Sequence, residues 1–144
     1  MKKILVILMI AVMLTACGTE EAAVDNDTAD ETTETTEDIV ITYEQIIAEE
    51  AKKLMDTESD YIIVDARTEE EFAEGHIPGA ILIPEYEISD RADAELPDKD
   101  QLILVYCRSG RRSKIASAAL AELGYTNVKE FGGIIDWPYE VVTD

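Results

Sequence analysis

The apolar positions divide the chain into a basic and apolar start, a polar stretch, and a longer remainder in which strand-length apolar runs alternate with helical spacing. In the remainder, residues 39–41 are a short β-branched run. Thr42 and Gln45 stand at capping-box spacing ahead of Ile46, Ile47, Ala51, Leu54 and Met55, which recur at helical intervals. Residues 61–64 form a continuous apolar run, and Thr68 with Glu71 repeats the capping-box spacing for a short helix ending before Gly75. Residues 80–83, bounded by Pro78-Gly79 and Pro84, predict a third strand, and residues 85–94 an acidic helical stretch. Residues 102–106 are the most apolar strand and belong at the centre of a sheet. Residues 113–123 follow as an alanine-rich helix with Ser113 as its N-cap, stopping at Gly124. Residues 128–131 supply a fifth strand, and Gly132-Gly133 turns the chain into a closing piece that packs through Ile134, Ile135 and Trp137. With no internal repeat, these units predict one α/β domain over residues 39–144, a parallel sheet with helices on both faces.

The start has a different character. Lys2 and Lys3 precede an apolar run over residues 4–14, too short to span a bilayer and patterned as a signal peptide over residues 1–16. It closes on Leu14-Thr15-Ala16-Cys17, which resembles the lipobox of bacterial lipoproteins. That resemblance implies that Cys17 becomes the mature N-terminus and carries a diacylglyceryl group, and two or more acyl chains anchor a protein stably. Residues 18–38 hold many acidic residues and no basic one, with Thr and Ala making up most of the rest, so they cannot bury a core and read as a solvated tether. The expected location is extracytoplasmic, lipid-anchored at a bacterial cell surface or in the periplasm.

Composition narrows the function. At 144 residues, 47% hydrophobic and with 2 Cys, the chain has room for one modest core and is not a disulfide scaffold. Its 12 basic residues against 32 acidic ones give a net charge of −20, a field that repels nucleic acid and anionic lipid head groups. One histidine, His76, and one cysteine beyond Cys17 make no metal ligand set, so neither metal nor cofactor is expected. The domain is expected to act as a monomer.

Cys107 follows the most apolar strand and precedes a helix, the place where open parallel sheets bind ligands. The segment Cys107-Arg108-Ser109-Gly110-Arg111-Arg112-Ser113 can curl its backbone N–H groups toward one point, with Gly110 free to turn left-handed. Three arginines within five positions, in an otherwise acidic chain, together with a helix start, favour thiolate over thiol. A cysteine hydrolase needs a neighbouring base, and His76 lies inside the turn Gly75-His76-Ile77-Pro78-Gly79-Ala80, where it reads as structural. Displacing sulfite from an anionic sulfur donor needs no proton moved at the bond being broken. The thiolate is then the nucleophile, the arginines hold the donor's oxyanion, and an external acceptor must take the sulfur because no second free thiol remains.

Val64-Asp65-Ala66-Arg67, then Glu71-Phe72 leading to the 75–80 turn, then the Cys107 loop and the closing Gly132-Gly133 with Trp137, resemble the rhodanese family through essentially all of residues 39–144. The resemblance implies a rhodanese-like α/β domain around a five-stranded, mainly parallel sheet. It implies that Cys107 carries sulfur as a persulfide and that Arg108, Ser109, Gly110, Arg111, Arg112 and Ser113 form the substrate loop. Asp65, Arg67 and His76 fall on positions read as structural. Thiosulfate or another sulfane sulfur donor would be the substrate, and cyanide or a thiol the acceptor. Phosphatases of the same fold carry one more loop residue, with arginine six positions after the cysteine; here that position is Ser113, and Arg112 is five on. A noncatalytic persulfide carrier or partner-binding module is the alternative, and a phosphatase or arsenate reductase the least favoured reading. Rhodaneses with two copies of the domain wall the pocket between them, so this single copy is expected to have an open entrance.

The lipid anchor makes a prediction of its own. Cells fed radiolabelled palmitate should label the wild-type chain and leave Cys17→Ser unlabelled; label retained in Cys17→Ser refutes the anchor.

Overall fold

The structure is a computed structural model and describes residues 42–143; the signal peptide, Cys17, the acidic tether and the run at 39–41 lie outside the described residues. Five strands, β1 (Tyr43–Gln45), β2 (Tyr61–Asp65), β3 (Ala80–Leu82), β4 (Leu102–Cys107) and β5 (Val128–Gly133), form one sheet in the order β1-β5-β4-β2-β3, and every pairing is parallel. Four helices connect them: α1 (Ala48–Thr57), α2 (Glu69–Glu74), α3 (Ile88–Glu95) and α4 (Arg111–Glu122). Among the described residues no helix is long and apolar enough to cross a membrane.

β4 is the centre of the sheet, and all six of its residues are buried, as its continuous apolar run requires of a strand covered on both faces. Alternation along the strand sends its residues to two cores. Ile103, Val105 and Cys107 pack with Ala92 of α3 and with Ala116 and Leu120 of α4; Leu102, Leu104 and Tyr106 pack with Ala51 of α1, Phe131 and Trp137. Every strand runs the same way, so the carboxyl ends of β2 and β4 and the turns that follow them share one edge.

Four local expectations shift. The first described strand lies at Tyr43–Gln45, so Thr42 caps no helix; α1 begins only at Ala48, with the Ile47 N–H donating to the Glu50 carboxylate at 3.4 Å. Pairing outranks local capping there, because β1 aligns with residues 128–130 of β5 and the Ile46 N–H donates to the Glu130 carbonyl at 2.8 Å. Residues 85–87 form a single 3₁₀ turn that leads into α3. Helix α4 starts two residues before its expected beginning, with Gly110 in place of Ser113 at the cap. In the closing piece Trp137 is buried and Ile134 packs against the same core, while Ile135 is 62% exposed and takes no part in it.

A buried polar knot ties the site edge together. Arg67 Nε donates to both carboxylate oxygens of Asp65 at 2.9 and 3.0 Å, and its Nη2 donates to Asp65 Oδ2 at 2.6 Å and to the Gly75 carbonyl at 2.7 Å. The Tyr106 hydroxyl donates to the same Asp65 oxygen at 2.6 Å and accepts the Ile77 N–H at 3.1 Å. Burial, then the Asp65 charge, pushes the Tyr106 phenol well above its ordinary range. His76 stacks on Phe72 with ring centroids 3.7 Å apart, places Nδ1 3.0 Å from the Phe72 carbonyl, and pairs its backbone with Val142. The end of β2, the 75–77 turn and β4 are thereby one unit.

Asp65→Asn leaves the buried Arg67 guanidinium without its counter-charge. It should cost about 3 kcal/mol in urea unfolding, against about 1 kcal/mol for Tyr106→Phe.

Candidate active site

Cys107 is the last residue of β4, where the ladder to β5 shifts register between Val105 and Cys107 so that Cys107 stands opposite Gly133. The next three residues leave the sheet and fold back over it. Gly110 closes this bend in the left-handed region (φ 95°), and its N–H turns inward to donate to Cys107 Sγ at 3.1 Å. Such a tight return brings backbone onto backbone: a Cβ on Gly133 would lie 2.1 Å from the Arg108 carbonyl oxygen, so β5 can pass beneath the loop only as glycine.

The thiol feels opposing influences. Burial raises it, while the Ser113 hydroxyl and the backbone N–H groups of Ser113, Ser109 and Gly110 outweigh that and hold the Cys107 pKa below its ordinary value. Neutral donors achieve the lowering, as the curled loop and helix start allow. Cys107 itself is only 1% exposed, so the expected open entrance does not extend to the sulfur, which its own loop covers.

The three arginines separate in space. Arg108 and Arg111 are exposed beside the loop, with Ser109. Arg112 instead reaches to α2, where Nη1 and Nη2 donate to the two carboxylate oxygens of Glu71 at 2.6 and 2.8 Å. Glu71 also closes the Thr68 capping box, so a single carboxylate joins the helix after β2 to the helix after β4. Ser113, fully buried, donates to Glu130 Oε1 at 2.6 Å, with the Gly110 carbonyl at 3.1 Å. Asp65, Arg67 and His76 lie in the polar knot rather than at the sulfur.

Two residues at the site escaped the sequence reading. Gly133 had a signal in the Gly132-Gly133 pair, which reads as a turn and is in fact a close backbone approach. Glu130 had a signal as well: alternation with Val128 assigns it to a covered face, and it is 2% exposed. A cavity of about 410 Å³ opens beside the loop, with Ile46, Ile47, Ser109, Gly110, Glu130 and Gly132 in its wall. Among the described residues no group of three or more His, Cys, Asp or Glu side chains is placed to hold a metal ion.

A parallel five-stranded sheet with a cysteine cradled at the end of its middle strand defines the class, and comparison with known proteins gives the family. The chain belongs to the rhodanese-like domain family, whose model matches residues 47–138. It is 41% identical over 73 residues to the thiosulfate sulfurtransferase PspE of Escherichia coli, covering 51% of this chain and 70% of that protein. It is 46% identical over 88 residues to a sulfurtransferase of Allochromatium vinosum, covering 60% of this chain and 79% of that one. Among solved structures, a rhodanese with anions from E. coli superposes with a TM-score of 0.56 at 37% identity, over 58% of this chain and 99% of that one.

The Glu71–Arg112 bridge predicts an acid limb of stability. Arg112 holds the Glu71 carboxyl down at about 2, from its ordinary 4.5. The bridge therefore contributes fully above pH 4.5, and its contribution is lost as pH falls from there toward 2. Glu71→Gln should be less stable than wild type at neutral pH, and its unfolding midpoint should vary less across that window; parallel pH dependences would refute the bridge.

Proposed function

We propose that this chain is a sulfurtransferase that forms a persulfide on Cys107 and passes the sulfur to cyanide or a thiol, while a lipid on Cys17 anchors it to a bacterial membrane outside the cytoplasm, at the cell surface or in the periplasm. The observation that carries the reading is the convergence of the Gly110 N–H on Cys107 Sγ, with the thiol held below its ordinary pKa, in a chain related to named sulfurtransferases. Cys107 thiolate attacks the sulfane sulfur of thiosulfate. A Cys107 S–S bond forms, the bond from the sulfane sulfur to the sulfonate sulfur breaks, and its electron pair leaves with sulfite. An acceptor thiolate or cyanide then attacks the outer sulfur, and the electron pair of the breaking S–S bond returns to Cys107. No proton has to move in either half. The loop N–H groups stabilise the negative charge on the inner or outer sulfur, and the exposed Arg108 and Arg111 supply charge for the donor's sulfonate.

Arg112 argues against the phosphatase and arsenate reductase readings. It comes five positions after Cys107 and is engaged with both oxygens of Glu71, whereas position six is the buried Ser113.

The test is the intact mass of the chain after incubation with thiosulfate, beside Cys107→Ser. A gain of one sulfur atom that cyanide removes and the variant lacks is the expected result; a wild-type chain that gains nothing from thiosulfate overturns the thiosulfate assignment.

A further inference from the structure

The ion pairs of the domain leave one place uncovered. Among the described residues Lys52, Arg67, Arg91, Lys99, Arg112 and Lys129 each pair with a carboxylate. Arg108, Arg111 and Lys114 are exposed and pair with none; apart from Lys53 on α1, the unpaired cations among those residues all stand on the Cys107 loop or the first turn of α4. The helix itself does not call for them. The positive end of a helix dipole favours carboxylates, and α1 begins with Glu49 and Glu50 and α2 with Glu69, Glu70 and Glu71, whereas α4 has no acidic residue in its first turn and opens on arginines. The cations there oppose the dipole, so helix stability does not account for their place.

Apolar side chains accompany this charge. Arg111, Lys114 and Ile115 share one face of α4 by their spacing of three and four, and Ile115 is 44% exposed on it. The 3₁₀ turn over residues 85–87 lies alongside. It is tied to the end of β2 by the Glu85 N–H, which donates to the Ala66 carbonyl at 3.1 Å, and its flanks Ile83 and Ile88 pack into one core with Ala116 of α4. From that turn Tyr86 stands out, 67% exposed. A small anionic donor at the loop has use for Arg108 and Arg111, but Lys114, Ile115 and Tyr86 extend the face beyond what such a molecule covers. We propose that the loop, the start of α4 and the turn at 85–87 form a docking face for a partner protein with an acidic surface, whose carboxylates meet Arg108, Arg111 and Lys114 and whose apolar side chains cover Ile115 and Tyr86, bringing its own thiol or persulfide to the Cys107 loop. The proposal rests on the sulfurtransferase reading for the reacting groups. Charge selects the partner: with a net charge of −20 the remainder of the chain repels an acidic protein, so attraction at this one face orients the encounter with the loop inward.

The test separates docking from sulfur transfer. The full chain is titrated, with backbone amide shifts as the readout, with a peptide in which glutamates and a leucine flank a serine standing in for the partner's cysteine, and then with the same peptide carrying lysines for the glutamates. The acidic peptide should shift the amides of Arg111, Lys114 and Ile115 and lose affinity as salt is raised, and the lysine peptide should leave them in place. Lys114→Glu should weaken the acidic peptide about tenfold, with Lys114→Gln as the milder variant should the first fail to fold. With the serine restored to cysteine as sulfur acceptor, Lys114→Glu and Ile115→Ser should each lower kcat/KM several-fold and leave turnover with cyanide unchanged. Equal binding of the two peptides, or cyanide turnover falling in step with the peptide's, overturns the proposal. A dimer that Lys114→Glu dissolves assigns the face to a second copy, and amides that respond to anionic phospholipid vesicles but not to the peptide assign it to a membrane; either result overturns the acidic partner. A chain that takes up sulfur yet binds both peptides alike keeps the sulfurtransferase reading and loses the docking face, whereas a chain that binds the acidic peptide at these amides and never takes up sulfur keeps the face and loses that reading.

Discussion

The site depends on a backbone lying on a backbone. For N–H groups to converge on Cys107, the chain must leave β4, reverse within three residues and start a helix, and the reversal lays the Arg108 carbonyl against Gly133 of β5. Gly110 provides the left-handed bend and Gly133 the absence of a Cβ; neither works without the other. The register shift between β4 and β5 at this point is the sheet's accommodation of the same crowding. That return is what brings the Gly110 N–H onto the cysteine sulfur.

Much of this was legible in the chain, for reasons that can be named. The middle strand declared itself by the five consecutive apolar residues 102–106, to which the structure adds Cys107, and the α2 start by Thr68 and Glu71, whose reciprocal bonds the structure contains. The loop announced itself by a glycine and three arginines around a cysteine. What failed was judgement of which local signal tertiary pairing would override. Thr42 and Gln45 have the spacing of a cap, yet β5 offers Tyr43–Gln45 a strand partner, and sheet hydrogen bonds outweigh one capping bond. Ser113 is a good N-cap in isolation, but the loop's own bend puts Gly110 there and turns the serine inward to Glu130.

The partners of Arg112 and Glu130 could not be read from spacing, because they join residues far apart in sequence: Glu71 with Arg112, and Ser113 with Glu130. A contact of that kind is set by the angle at which helices leave the sheet. Its only trace in the chain is a charged residue on a face that periodicity assigns to the interior, as with Glu130 beside Val128. Such a residue is informative because burying a charge is costly unless something receives it.

The arginines and carboxylates divide the work of a charged site in an acidic protein. Two arginines, Arg67 and Arg112, are spent as braces on Asp65 and Glu71, one joining β2 to its following turn and the other joining two helices. Two more, Arg108 and Arg111, remain exposed beside the loop. The sulfur itself is addressed by uncharged donors in its loop. Dipoles held by the fold lower the energy of an anion wherever it lies among them, whether thiolate or persulfide, and need no rearrangement as charge moves outward by one sulfur atom. A full cation at the sulfur would bind the thiolate more strongly than the persulfide and resist that movement. For the persulfide chemistry proposed here, in which charge moves outward by one atom, keeping the braced guanidiniums neutralised by carboxylates leaves the dipoles of the loop to hold that charge before and after the transfer.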